Sequence, residues 1–238
     1  MENMYSRFVT NPLNGLDDGS FFKKGFYYIV KLASIGVAIW GFYLIFASMF
    51  GDAGYFKSLK GMEIWPLIRS LLFFLSNIVI SAMAVMWLTS VLWKRSEEFK
   101  EVDYNGVPLI IPRFIKLFGQ LVAVVFVTVS VTYASAHIFV ANPGVYMPLE
   151  DIYKAIMNNP INEIPRVQGF IESLPKLSMN IGEVNGFGHY MNDFFFDGAI
   201  WNIVKGLILA FINLAVFYFI AEIFEIVIYF LIRKQLFK

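Results

Sequence analysis

The sequence predicts an all-α, polytopic membrane protein. It has four transmembrane helices, with a small extracytoplasmic segment of short amphipathic helices between the third and fourth. Three observations carry that prediction. The chain of 238 residues is 58% hydrophobic and 18% aromatic, outside the range of soluble domains. It contains four apolar runs of the length, about 20 residues, that a helix needs to cross a bilayer. Polar, turn-rich or charged segments separate those runs.

Residues 1–25 form a polar cytoplasmic lead-in with turn signals at Asn11-Pro12, Asn14-Gly15 and Asp17-Asp18-Gly19. Phe21 and Phe22 before Lys23 and Lys24 suit an interface. The first span is 26–50. It is too long for a signal-peptide core and no A-x-A-like site follows it, so it reads as an uncleaved signal anchor. Lys31, Ser34, Ala38, Gly41, Ile45 and Ser48 recur at helical spacing and give it one small and polar face. Small residues let helices approach closely in lipid, where hydrophobicity drives no association.

An outer link, 51–64, leads to the second span, 65–93. Pro66 sits in its first turn, where proline is tolerated, and Trp65 and Trp93 bracket it like an interfacial belt. Ser70, Asn77, Ser81 and Ala84 share a face. A charged cytoplasmic loop, 94–111, follows. Its Asn105-Gly106 predicts a tight turn between Phe99–Asp103 and Val107–Ile111. The third span, 112–140, presents Lys116, Gly119, Gln120, Ala123, Ser130, Ala134 and His137 on one face.

Residues 141–199 form an extracytoplasmic cap punctuated by Pro143, Pro148, Pro160, Pro165 and Pro175. Leu149, Ile152, Tyr153 and Ile156 mark one short amphipathic helix there; Val167, Phe170, Ile171 and Leu174 mark a second. The fourth span is 200–232, and 233–238 is a cytoplasmic C-terminus.

Lys and Arg outside the spans set the orientation. Arg7, Lys23, Lys24, Lys94, Arg95, Lys100, Arg233, Lys234 and Lys238 fall on one side. Lys57, Lys60, Lys154, Arg166 and Lys176 fall on the other, in longer stretches of chain. The positive-inside rule then makes both termini cytoplasmic, in a cytoplasmic-type membrane.

The fourth span carries the candidate site. Tyr218, Glu222, Glu225 and Tyr229 step by four, three and four, one stripe of a helix. Glu222 lies about 16 Å along the helix from Arg233, near mid-bilayer, and Glu225 about 12 Å from it. An acid at that depth is neutralised, paired or wetted. Lys31 and Lys116 lie just inside the same membrane face, so a buried cluster of Lys31, Lys116, Glu225 and Glu222 is within reach of a helix bundle. Ser34, Gly41, Asn77, Ser81, Gly119, Ala123 and Ser130 form the expected helix-packing faces.

Net charge of +1 points to no nucleic-acid partner, and the absence of cysteine excludes disulfides, thiolate metal sites and cysteine nucleophiles. No H-E-x-x-H, G-x-S-x-G or phosphate-binding glycine loop is present. Glu222-x-x-Glu225 lacks the histidine of a carboxylate di-metal bundle. His137 and His189, both on the outer side, leave bis-histidine haem ligation as a minor reading; no cofactor and no metal are expected. The sequence therefore points to a non-catalytic integral subunit of a larger membrane protein complex. The lipid bilayer and a membrane-protein partner or second copy are its expected associates. The alternative is a proton- or ion-coupled transporter, channel or motor element with Glu222 and Glu225 as its protonatable site. No broken span, the usual builder of a midplane site, supports that alternative.

Overall fold

A computed structural model describes residues 20–50, 55–61, 63–100, 109–139 and 198–235. The described chain is all-helical: α1 (Ser20–Phe50), α2 (Tyr55–Ser58), α3 (Ile64–Lys100), α4 (Ile110–Phe139) and α5 (Ala199–Gln235). α1, α3, α4 and α5 are each long and apolar enough to cross a membrane. The amphipathic helices expected in the cap lie outside the described residues.

The local chemistry explains the helix limits. Pro66 and Pro112 each stand third in their helix, where a missing N–H costs no intrahelical bond. Gly61, at φ 85°, ends the turn after α2 in the left-handed region that favours glycine. α3 does not stop at Trp93. Nothing between Trp93 and Lys100 breaks a helix, so Lys94, Arg95, Glu97, Glu98 and Lys100 ride on its last turns. The hairpin expected around Asn105-Gly106 is corrected at its ends: Phe99 and Lys100 are helical in α3, and Ile110 and Ile111 are helical in α4.

The helices contribute to two compact units. The first takes residues 20–38, 88–100, 109–121 and 214–235. Its core is Val30, Leu92, Phe99, Ile110 and Leu117, with Phe26 and Phe114 packed against it. Phe114 sits 4.8 Å from Phe99 and 5.1 Å from Phe26, ring centroid to centroid. Beside this core the fully buried Ser34 hydroxyl donates to the Thr89 carbonyl at 3.0 Å, tying α1 to α3. Ser34→Ala is expected to cost about 0.6–1 kcal/mol, the ordinary value of an interhelical hydrogen bond in lipid, read from unfolding in mixed micelles.

The second unit takes residues 39–50, 55–61, 63–87, 122–139 and 198–213. Its middle is the α4 run Val122, Val125, Phe126, Val129, Ser130 and Tyr133, all buried. Small residues set the helix spacing. A Cβ on Gly41 would meet Val85 Cγ2 at 2.5 Å, and one on Gly206 would collide with the Ser130 side chain. The Ser76 and Ser135 hydroxyls meet at 2.5 Å between α3 and α4. Tyr55 of α2 is buried, stacks on Phe74 at 4.2 Å and donates its hydroxyl proton to the Ser70 carbonyl. That contact ties the short helix to α3.

Candidate functional site: an ionisable layer in the first unit

The polar side chains of the first unit gather into two groups. One joins α1 to α3. Lys31 Nζ donates to Glu97 Oε1 at 2.9 Å and to the Tyr27 hydroxyl at 2.5 Å, and it lies 4.2 Å from the centre of the Trp93 ring. The ring faces and the carboxylate together hold a cation that would otherwise be placed against apolar helix.

The other group joins α3, α4 and α5, with Arg95 at its centre. Arg95 Nε donates to Gln120 Oε1 at 3.0 Å and its Nη2 donates to the Tyr218 hydroxyl at 3.0 Å. Its Nη1 pairs with Glu98, one turn on along α3. Gln120 Nε2 closes the ring by donating to Tyr218 at 2.6 Å. The planar, five-donor guanidinium suits three partners on three helices. One turn away, Lys116 Nζ of α4 pairs with Glu225 Oε1 of α5 at 3.2 Å and stands 5.8 Å from the Tyr218 ring centre. Arg113 donates to the Glu98 carbonyl.

This geometry corrects the expected buried Glu/Lys cluster. Lys31 is taken by Glu97 and does not join Lys116 and Glu225. The pairs are only half-buried: side-chain exposure is 20% for Lys116 and 33% for Glu225. Glu222 is exposed, and Tyr229 is 60% exposed. The reason lies in the register of α5. Its packed seam passes through Ala221, which is fully buried, and Ile228. At about 100° per residue, Tyr218 and Glu225 fall beside that seam, while Glu222 and Tyr229 fall further round, onto the outer face.

The expected packing faces distribute as follows. Ser34 and Ser130 are fully buried and Ala123 is buried. A Cβ on Gly119 would meet Phe217 Cβ at 2.6 Å, so α4 and α5 approach closely there. Asn77 and Ser81 are half-buried and contact one another along α3, hydroxyl to amide oxygen, at 3.5 Å.

Sequence reasoning missed Arg95, Glu97 and Glu98 because it assigned them to a loop. The signal was the unbroken helix-forming run after Trp93 and the i,i+3 spacing of Arg95 and Glu98. Among the described residues, no group of three or more His, Asp or Glu side chains is disposed to hold a metal ion. His137 packs beside Gly198, and His189 lies outside the described residues.

No protein-family model, no curated protein and no solved structure matches the chain.

Proposed function

We propose that this chain is a non-catalytic integral subunit of a larger membrane protein complex, lying in a cytoplasmic-type membrane with both termini cytoplasmic. The observation that carries the reading is how the ionisable layer is used. Arg95, Lys31, Lys116 and Glu225 each bond to a side chain on a neighbouring helix. A cation and a carboxylate held against each other fix helix register and are poorly suited to bind and release an ion each cycle. The alternative is a proton- or ion-coupled element using Glu222 and Glu225, with Tyr218, Tyr229 and Lys116 tuning them. In its favour stand the partial exposure of Glu225 and the exposed carboxylate of Glu222, which has no ion pair among the described residues.

The orientation rests on the Lys and Arg bias, now with Lys94, Arg95 and Lys100 on the end of α3. From Trp65 to Trp93 that helix rises about 42 Å, the thickness of a bilayer with its headgroups. The charged end of α3 then lies at the inner headgroup level. Tyr218, bonded to Arg95, shares that level. Glu222, one turn further toward the C-terminus, then lies at or beyond that headgroup level, not at mid-bilayer.

Ion flux into proteoliposomes tests the two readings. The subunit reading expects the purified chain to pass protons no faster than empty vesicles. A gradient-driven flux abolished by Glu222→Gln or Glu225→Gln overturns it. The anchoring role has its own measure. In a double-mutant cycle of Lys116→Met and Glu225→Gln, the coupling is expected to be about 0.5–1 kcal/mol, the range of partly exposed pairs.

A further inference from the structure

In the first unit, α1 and α3 build a seam whose charge does not balance. Trp93, Glu97 and Lys100 step by four and three along one stripe of α3. Lys31 of α1 bonds to Glu97 and lies over the Trp93 ring. Lys100 stands about two turns beyond Trp93, yet its ammonium does not point away into the cytoplasm. A helical side chain leans toward the N-terminus of its helix, and that of Lys100 reaches back to 5.8 Å from the centre of the Tyr27 ring. Lys31 approaches the same ring to 4.7 Å. Two ammoniums therefore share one ring face region with one carboxylate, Glu97, which is paired to Lys31. Lys100 is exposed and has no ion pair among the described residues. The seam carries an excess of one positive charge.

From these observations we infer that the α1–α3 seam binds the headgroup of one anionic phospholipid of the inner leaflet. Its phosphate meets Lys100 and Lys31, and its glycerol and acyl chains lie against Trp93 and Ile35. Trp93 stands at the headgroup level, and Lys31, 4.2 Å from its ring, shares that level. Ile35, four residues deeper on the stripe of Lys31, is exposed, as is Trp93. Charge complementarity selects an anion, since basic positions between helices on the cytoplasmic side attract acidic headgroups. The apolar surface directly below the cations selects a lipid: a free phosphate or an acidic peptide would leave Trp93 and Ile35 uncovered. A zwitterionic headgroup brings its own ammonium toward Lys100 and gains less. The inference takes from the proposed orientation only which leaflet supplies the lipid, and it does not depend on the subunit reading.

The test is native mass spectrometry of the full-length chain, purified in mild detergent and titrated with dioleoylphosphatidylglycerol or dioleoylphosphatidylcholine. The expected result is one phosphatidylglycerol bound in preference to phosphatidylcholine of the same acyl chains. Lys100→Gln lowers its affinity about fivefold, the contribution of one cation at a membrane surface. Lys100→Glu lowers it further, and Lys100→Arg retains it. Lys100 is exposed at the end of α3, so these variants keep the fold, which their unfolding in mixed micelles checks. Lys94→Gln is the control: Lys94 is also exposed on the charged end of α3 but lies about 120° round the helix from Lys100, and its loss leaves the affinity unchanged. Equal affinity for the two lipids overturns the inference. So does an equal loss at Lys94 and Lys100, which makes the attraction diffuse and not a site. Displacement of the lipid by millimolar inorganic phosphate also overturns it, because the anion alone would then be the ligand. The orientation has a separate readout. The chain has no cysteine, so Lys94→Cys supplies a single thiol, expected to react with an impermeant maleimide only after the membranes are opened. Labelling of intact cells assigns the lipid to the other leaflet and overturns the inference as stated, even where binding is retained.

Discussion

Gly206→Leu is expected to prevent the chain from accumulating in folded form, and Gly36→Leu is expected to accumulate at wild-type level. The difference lies in what each new side chain meets. At Gly206 even a Cβ collides with the Ser130 side chain and comes within 3.1 Å of the Phe126 carbonyl. Backbone cannot move aside as a flexible side chain can, and overpacking of a close helix contact costs about 3 kcal/mol or more. A Cβ on Gly36 meets nothing within 4 Å, on an exposed part of α1. The milder Gly206→Ala provides the check on cause. Combined with Ser130→Gly, it is expected to recover most of the stability lost by Gly206→Ala alone, because the two positions share one contact. Unfolding of the purified variants in mixed micelles reads both effects.

Arg95→Ala is the second largest expected effect. It leaves Gln120 and Tyr218 without their shared donor and Glu98 without its cation in one step. Hydrogen bonds to a charged group contribute about 1.5–3 kcal/mol each where water is excluded. The site is partly open, so the expected loss is about 2–3 kcal/mol for the whole set. Arg95→Lys is expected to rescue little, since one ammonium cannot reach three helices in the fork geometry. Lys31→Met, which breaks a more exposed pair, is expected to cost clearly less than Arg95→Ala. The ranking is the prediction: an equal loss at both positions removes Arg95 from the centre of the layer.

The four spans were legible from composition and from apolar runs long enough for a bilayer, since lipid demands internally bonded backbone and leaves few alternatives to helix. Ser34, Gly119 and Ser130 were legible as packing positions for a related reason, small side chains at helical spacing. What periodicity could not supply was the rotation of α5. Its sequence is apolar all round, so the stripe of Tyr218, Glu222, Glu225 and Tyr229 had no polar or apolar counter-face to show which edge packs. Ala221, an unremarkable residue in the sequence, decides it by being small enough for the seam, and Glu222 turns outward as a consequence. The charged segment after Trp93 failed for a different reason. Its density of charge read as solvent-exposed loop, yet Glu, Lys and Arg are good helix formers, and an interfacial helix end carries them readily.

On the reading proposed above, these charges tie helices together in a protein that works as part of a larger assembly. The most direct test is the mass of the particle released from native membranes by a mild detergent, with its components identified. A stoichiometric complex containing this chain and at least one different membrane protein is the expected result. A homogeneous particle containing this chain alone, with ion flux that depends on Glu225, contradicts it.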